Sequence, residues 1–257
     1  MSSSASFASA RDLFFNLAWA ELTARYKTTT LGALWFVINP LLMTLILTIV
    51  FGHVVRLQID RYPIFVLAAL LPWTFFQTGL GNATGSLVRA SALIKRVRIP
   101  RALIPLAAVA ASLAHFAIAV AVLLVVMIVF GAPLAPHLVL LPGAMLLEAV
   151  CVAGLGLAAA SLNVLFRDVE HVLGAVLRAV FYLTPTFYPL SYVPERWHVV
   201  FLLNPIAGLV EIHRALILDG ALPAVGVVAM TVVETAIALV GGFVVFHRLE
   251  PDFDDHV

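Results

Sequence analysis

The chain predicts an all-α integral membrane protein: six transmembrane helices, an N-terminal interfacial helix and a re-entrant helical hairpin before the last span, in one domain covering residues 1–257. Three observations carry this. Hydrophobic residues make up 63% of the chain and charged residues 11%, against roughly 25% charge in a soluble domain, and the mean hydropathy is +1.07, so few side chains remain to make a wettable surface. Long stretches contain no Asp, Glu, Lys or Arg, and they reach the about 20 residues that a helix needs to cross about 30 Å of hydrocarbon. The Lys and Arg that do occur collect on one side of the topology those stretches define.

The N-terminal MSSSASFASARD has no basic stretch followed by a short apolar core and a cleavage site, so no signal peptide is expected. Ser9 and Asp12 stand at capping-box spacing. Phe15, Trp19, Leu22 and Tyr26 share one helical stripe, while Leu13 and Leu17 point away from it. Residues 9–28 are expected to form a cytoplasmic interfacial helix along the inner leaflet, its second face available to protein.

Residues 28–55 and 62–88 are charge-free and place the first spans at 34–54 and 63–83. Charge is absent again from Ala102 to Leu147, but GAPLAPH at 131–137 breaks that run into spans at 103–130 and 138–165. The polar RDVEH at 167–171 precedes a fifth span at 172–190, and a sixth lies at 222–246. Between these two, residues 191–221 are apolar but interrupted by Glu195, Arg196, Asn204, Pro205, Glu211 and Arg214. They read as two short amphipathic helices, with Asn204 as N-cap, Pro205 at the first helical position, and Asp219 with Gly220 as the stop.

With the N-terminus in the cytoplasm, ten Lys and Arg fall inside: Arg11, Arg25, Lys27, Arg89, Lys95, Arg96, Arg98, Arg101, Arg167 and Arg248. Four fall outside: Arg56, Arg61, Arg196 and Arg214. This bias sets both termini and the 87–101 loop on the cytoplasmic face.

No catalytic machinery is legible. The only lysines, Lys27 and Lys95, follow no glycine, so there is no phosphate-binding loop, and H-E-x-x-H and dinucleotide fingerprints are missing. The eight histidines are scattered without ligand spacing, so no metal and no cofactor of this chain's own is expected. The lone Cys151 excludes an intramolecular disulfide.

The runs TARYKTTTLGALWFVINPLL (23–42), LLPWTFF (70–76), SALIKRVRIPRALIP (91–105) and LNPIAGLVEIHRALI (203–217) closely resemble the membrane subunit of ABC type-2 polysaccharide exporters, a family that includes permeases for O-antigen, capsule and teichoic acid chains. The resemblance covers nearly the whole chain. It implies a homodimer in the bacterial inner membrane, paired with two copies of a separate ATPase that holds ATP and Mg. It also implies export of a lipid-linked polysaccharide, an outer gate at 191–221 that includes Asn204, Pro205, Glu211 and Arg214, and a coupling loop at 87–101. A type-2 permease for drugs or small lipids, or an ion-coupled carrier using Glu148 and Glu234, remain the alternative readings.

Within that frame, Ile94, Lys95, Arg96, Arg98, Ile99 and Arg101 have two readings. They obey the positive-inside rule against anionic lipid at about 1 kcal/mol per charge, or they also dock the ATPase, with Ile94 and Ile99 seated in its groove. Nucleic acid is not an expected partner. Trp73, Phe75 and Phe76, with Phe181, Tyr182, Phe187 and Tyr188, either line a path on which sugar C–H faces slide or face lipid and packing neighbours. Glu148 and Glu234 fall near mid-membrane, where an unpaired acid costs about 2.5–3.5 kcal/mol, while Arg178 lies about two turns in from the cytoplasmic end of span five, within snorkelling reach; a salt bridge, a protonated buried acid or a role in the path is expected.

Overall fold

A computed structural model describes residues 2–24, 34–97 and 99–253. Arg25, Lys27 and Arg98 lie outside the described residues, as do residues 25–28 of the expected interfacial helix. Among the described residues every regular element is helical. In order these are α1 (Ser2–Ala24), α2 (Trp35–Leu47), α3 (Tyr62–Arg89), α4 (Ser91–Arg96), α5 (Leu103–Val129), α6 (Leu141–Leu165), α7 (Val169–Leu183), α8 (Glu195–Leu202), α9 (Pro205–Arg214) and α10 (Val225–Leu249). Helix α2 runs on as a π-helix through Val54, and α6 is preceded by a 3-10 turn, Pro136–Leu140.

Five helical stretches among the described residues are long and apolar enough to cross a bilayer: Val37–Val54, Tyr62–Arg89, Leu103–Val129, Pro136–Leu165 and Val225–Asp252. The expected fifth span, 172–190, is not a continuous membrane-length helix. Helix α7 has 15 residues and rises about 22 Å, short of a bilayer core. The reason is local: Pro185 disfavours helical backbone at Thr184, which is extended (φ −98°, ψ 132°). Helix α1 begins at Ser2, so Ser9 and Asp12 lie within it and do not form its cap. Asn204 does precede α9, but its side chain makes no capping bond.

The bundle is built around α3, which packs on α2, α5, α6, α7 and α9. Helix α6 lies between α3 and α10. Its crossing with α10 is close because Gly154 and Gly242 meet: a Cβ on Gly242 would fall on the Gly154 carbonyl, and one on Gly154 would meet the backbone of Ala238 and Leu239. One end of the bundle is closed by Leu87, Ile104, Leu157, Phe246 and Phe253, against which α1 lays Leu17. Phe15 and Trp19 of α1 face outward, 62% and 67% exposed. At the other end, Leu47, Tyr62, Phe65 and Val66 receive Phe51 and Phe187.

Candidate functional site

The break after α7 is where the hairpin α8–α9 engages the bundle. Residues 184–188 run as non-helical backbone, and at membrane depth such backbone persists only where protein satisfies its polar groups. Three consecutive carbonyls are held by side chains from elsewhere. Arg214 Nη2 donates to Thr186 O at 2.7 Å, Tyr62 Oη donates to Phe187 O at 2.7 Å, and Arg214 Nη1 lies 3.4 Å from Tyr188 O. The same guanidinium pairs with Glu211 at 3.2 Å and sits 3.8 Å above the Phe65 ring. Asn204 Nδ2 donates to Thr184 Oγ1 at 3.0 Å. Asn204, Glu211 and Arg214 therefore join one network that ties the hairpin to the segment beneath it, and Pro205 opens α9 at its first position.

That network aims a run of aromatic rings. Phe187 lies 4.9 Å from Tyr188, 5.0 Å from Phe51 and 6.0 Å from Phe181, and Phe181 lies 5.2 Å from Trp73. Tyr188 Oη donates to the Tyr182 carbonyl at 3.1 Å. Phe76 is 6.2 Å from Trp73, whereas Phe75 turns toward α5 and stacks on Phe116 at 5.0 Å with rings 6° from parallel. Six of the seven aromatic positions are thus connected and Phe75 lies apart, while Trp73 and Phe76 belong, like Phe75, to the buried core.

Trp73, Phe181 and Tyr182 open into a cavity of about 460 Å³ between α2, α3 and α7. Asn39, Thr74, Gln77 and Thr78 line it beside the rings, and Arg178 contributes the cation. Thr74 and Thr78 donate their hydroxyl protons to carbonyls one turn back, Leu70 O at 2.6 Å and Thr74 O at 2.7 Å, which leaves their oxygens free to accept. Arg178 makes no ion pair among the described residues. The wall thus combines flat apolar faces, hydrogen-bonding groups and one positive charge, chemistry suited to a sugar chain carrying an anionic group.

At the far end of α3, α4 presents exposed Lys95 and Arg96. Ile94 and Ile99 are half-buried against Leu87, Ile104 and Phe253 of this chain, so much of their apolar surface is already covered. Arg101 turns back: Nη1 donates to Glu250 O at 2.9 Å, and the guanidinium carbon lies 5.9 Å from the Phe253 ring centre. A cleft of about 370 Å³ separates α4 from α1, with Glu21 and Arg89 on its walls.

The three charges inside expected spans separate. Arg178 lines the cavity, Glu148 is buried in α6, and Glu234 on α10 has both carboxyl oxygens shielded without a hydrogen-bond partner. Glu148 faces His213 of α9, one of eight histidines that are scattered in the sequence. Tyr62, Asn39 and Gln77 likewise carry no motif or spacing that marks them in the sequence. A signal for His213 was present: EIHR at 211–214 sets three titratable side chains in an otherwise apolar segment, a pattern that in membranes marks interior contacts.

Comparison with known proteins bears on this arrangement. Residues 12–218 match the family model described as ABC-2 type transporter. Two curated relatives named O-antigen export system permease protein RfbA are similar. That of Myxococcus xanthus is 32% identical over 215 residues, 83% of each chain, and one from Klebsiella pneumoniae is 32% identical over 214 residues, 82% of each chain. The polysialic acid transport protein KpsM of Escherichia coli is 23% identical over 203 residues, 78% of this chain and 79% of its own.

Proposed function

The chain belongs to the ABC-2 type transporter family, and on that premise we propose that it is the permease subunit of an ATP-driven polysaccharide exporter. It moves a lipid-linked chain of O-antigen type outward across the bacterial inner membrane. Two copies form the path, both termini are cytoplasmic, and two copies of a separate nucleotide-binding subunit supply ATP hydrolysis. The cavity between α2, α3 and α7 carries this reading, because its walls offer both ring faces and hydrogen-bonding groups. A path for a repeating polymer needs many weak contacts and no tight site, and C–H faces of sugars on Trp73, Phe181 and Tyr182 meet that need.

Arg178 supplies the complement to the phosphate of the lipid carrier at the depth where the chain enters. The hairpin α8–α9 is the outer gate: Asn204 and Arg214 hold segment 184–188, so a shift of the hairpin moves Phe187 and Tyr188 with it. Lys95 and Arg96, with Arg98, receive the ATPase beside α1, while Ile94, Ile99 and Arg101 anchor the loop to the permease.

Purification from the native host in mild detergent tests the assembly, and co-purification of a nucleotide-binding subunit is expected. Deletion of the gene is expected to abolish surface polysaccharide while the lipid-linked chain accumulates inside. Intact surface polysaccharide after deletion would overturn the reading. Reversing Lys95, Arg96 and Arg98 to Glu is expected to leave insertion normal and ATPase association lost.

A further inference from the structure

We propose that Glu148 and His213 share a proton and so form a clasp that holds the hairpin against α6, an inference that rests on reading the hairpin as a gate. Both side chains are 0% exposed, and Glu148 Oε2 lies 3.7 Å from His213 Nε2. That separation is ion-pair range and a few tenths of an ångström beyond a hydrogen bond. Neither carboxyl oxygen of Glu148 nor Nε2 of His213 has another hydrogen-bond partner. Three buried polar atoms are thus left to satisfy one another, and unpaired they would each carry a desolvation penalty.

The proton follows from the other side of the ring. His213 Nδ1 lies 2.8 Å from Leu209 O, and a carbonyl oxygen only accepts, so Nδ1 carries a hydrogen. In the neutral ring Nε2 is then bare. A carboxylate facing a bare nitrogen would set two fully buried acceptors against each other. One proton on the pair removes that repulsion, carried by the acid turned toward Nε2 or by the imidazole as an ion pair. Among the described residues no Lys or Arg forms an ion pair with Glu148. From α5 the neighbour of the imidazole is the Phe116 ring, 5.7 Å away. From α6 comes Cys151, which neighbours both Glu148 and the Glu234 of α10 and carries no positive charge, and Arg214 is committed to Glu211 and the 186 and 188 carbonyls.

Position makes this contact mechanical. Glu148 stands in α6, whose far side is locked to α10 through Gly154 and Gly242. His213 stands one residue before Arg214, so one turn of α9 grips the fixed wall with one side chain and segment 184–188 with the next. Gly208 rests on Thr231 of α10 and completes the seat. Sharing the proton fixes α9; separating the pair frees it together with Phe187 and Tyr188.

Infrared difference spectroscopy of the purified protein in water and heavy water reads the proton directly. A Glu148 carboxyl band set by its histidine partner is expected in wild type, lost in Glu148→Leu and displaced in His213→Leu; spectra in which Glu148→Leu changes nothing, or in which His213→Leu leaves the Glu148 band in place, would overturn the clasp whatever the substrate. In the assembled exporter each Leu variant is expected to lower polymer export several-fold while ATP hydrolysis persists. Glu148→Gln retains export, because its amide can donate to the bare Nε2. The double variant E148L/H213L is expected to regain thermal stability, since both orphan groups are gone, yet not export. Recovery of export as well would mean that the pair only satisfies itself, and the clasp fails. Absence of export by the wild type would instead count against the exporter reading and leave the infrared result standing.

Discussion

Helices α3 and α10 have similar lengths, 28 and 25 residues, and opposite surroundings. Helix α3 carries the more polar sequence, with Thr74, Gln77, Thr78, Asn82, Thr84 and Ser86, yet it is the buried centre of the bundle. Helix α10 is the more apolar, and among its residues only Thr231, Thr235, Gly242 and Phe246 are buried; Ile237 is 66% exposed. In water the order would be reversed. In hydrocarbon apolarity drives no helix inward, and association rests on packing and on polar groups that must find partners. Asn82 donates to Ser112 at 2.9 Å, and Asn163 Nδ2 donates to Thr84 O at 3.2 Å, so polar contacts tie α3 to α5 and α6, while Thr74, Gln77 and Thr78 face the cavity.

The contrast can be broken at graded strengths. Arg214→Met removes the cation that holds two carbonyls and caps Phe65 at the head of α3, and is expected to cost about 3–5 kcal/mol because the partners stay buried. Thermal unfolding in detergent measures it, together with loss of export. Gly242→Ala forces α10 off α6 and is expected to cost about 3 kcal/mol, seen as a lowered unfolding temperature. Leu80→Ala, 4% exposed on α3, is expected to cost about 2 kcal/mol, the cavity contribution alone, since lipid and core are equally apolar. Ile237→Ala on α10 is expected to stay within about 0.5 kcal/mol. An equal loss for Leu80 and Ile237 would show that Ile237 is covered in the assembled transporter.

Legibility in the sequence tracked the same contrast. Three charge-free runs, 28–55, 62–88 and 102–147, made their helices visible, because exclusion of charge is the membrane's own signature. The stretch after Phe181 was not resolved, because hydropathy is blind to the backbone break that Pro185 enforces at Thr184. The aromatic residues were visible as a composition, but only the fold could separate Phe75, stacked on Phe116, from Trp73 and Phe181 at the cavity. Glu148 was noticed for its cost, and its partner was not: 65 residues separate it from His213, and no periodicity links two helices so far apart.

The three carbonyls at 186–188 have a further consequence, for biogenesis. A segment whose backbone is satisfied by Tyr62 and Arg214 cannot be stable in hydrocarbon before those residues are in place. Tyr62 is synthesised before it and Arg214 after it. The 186–188 backbone therefore reaches its satisfied state only after α9 has been made, with Tyr62 of α3 already there to receive it.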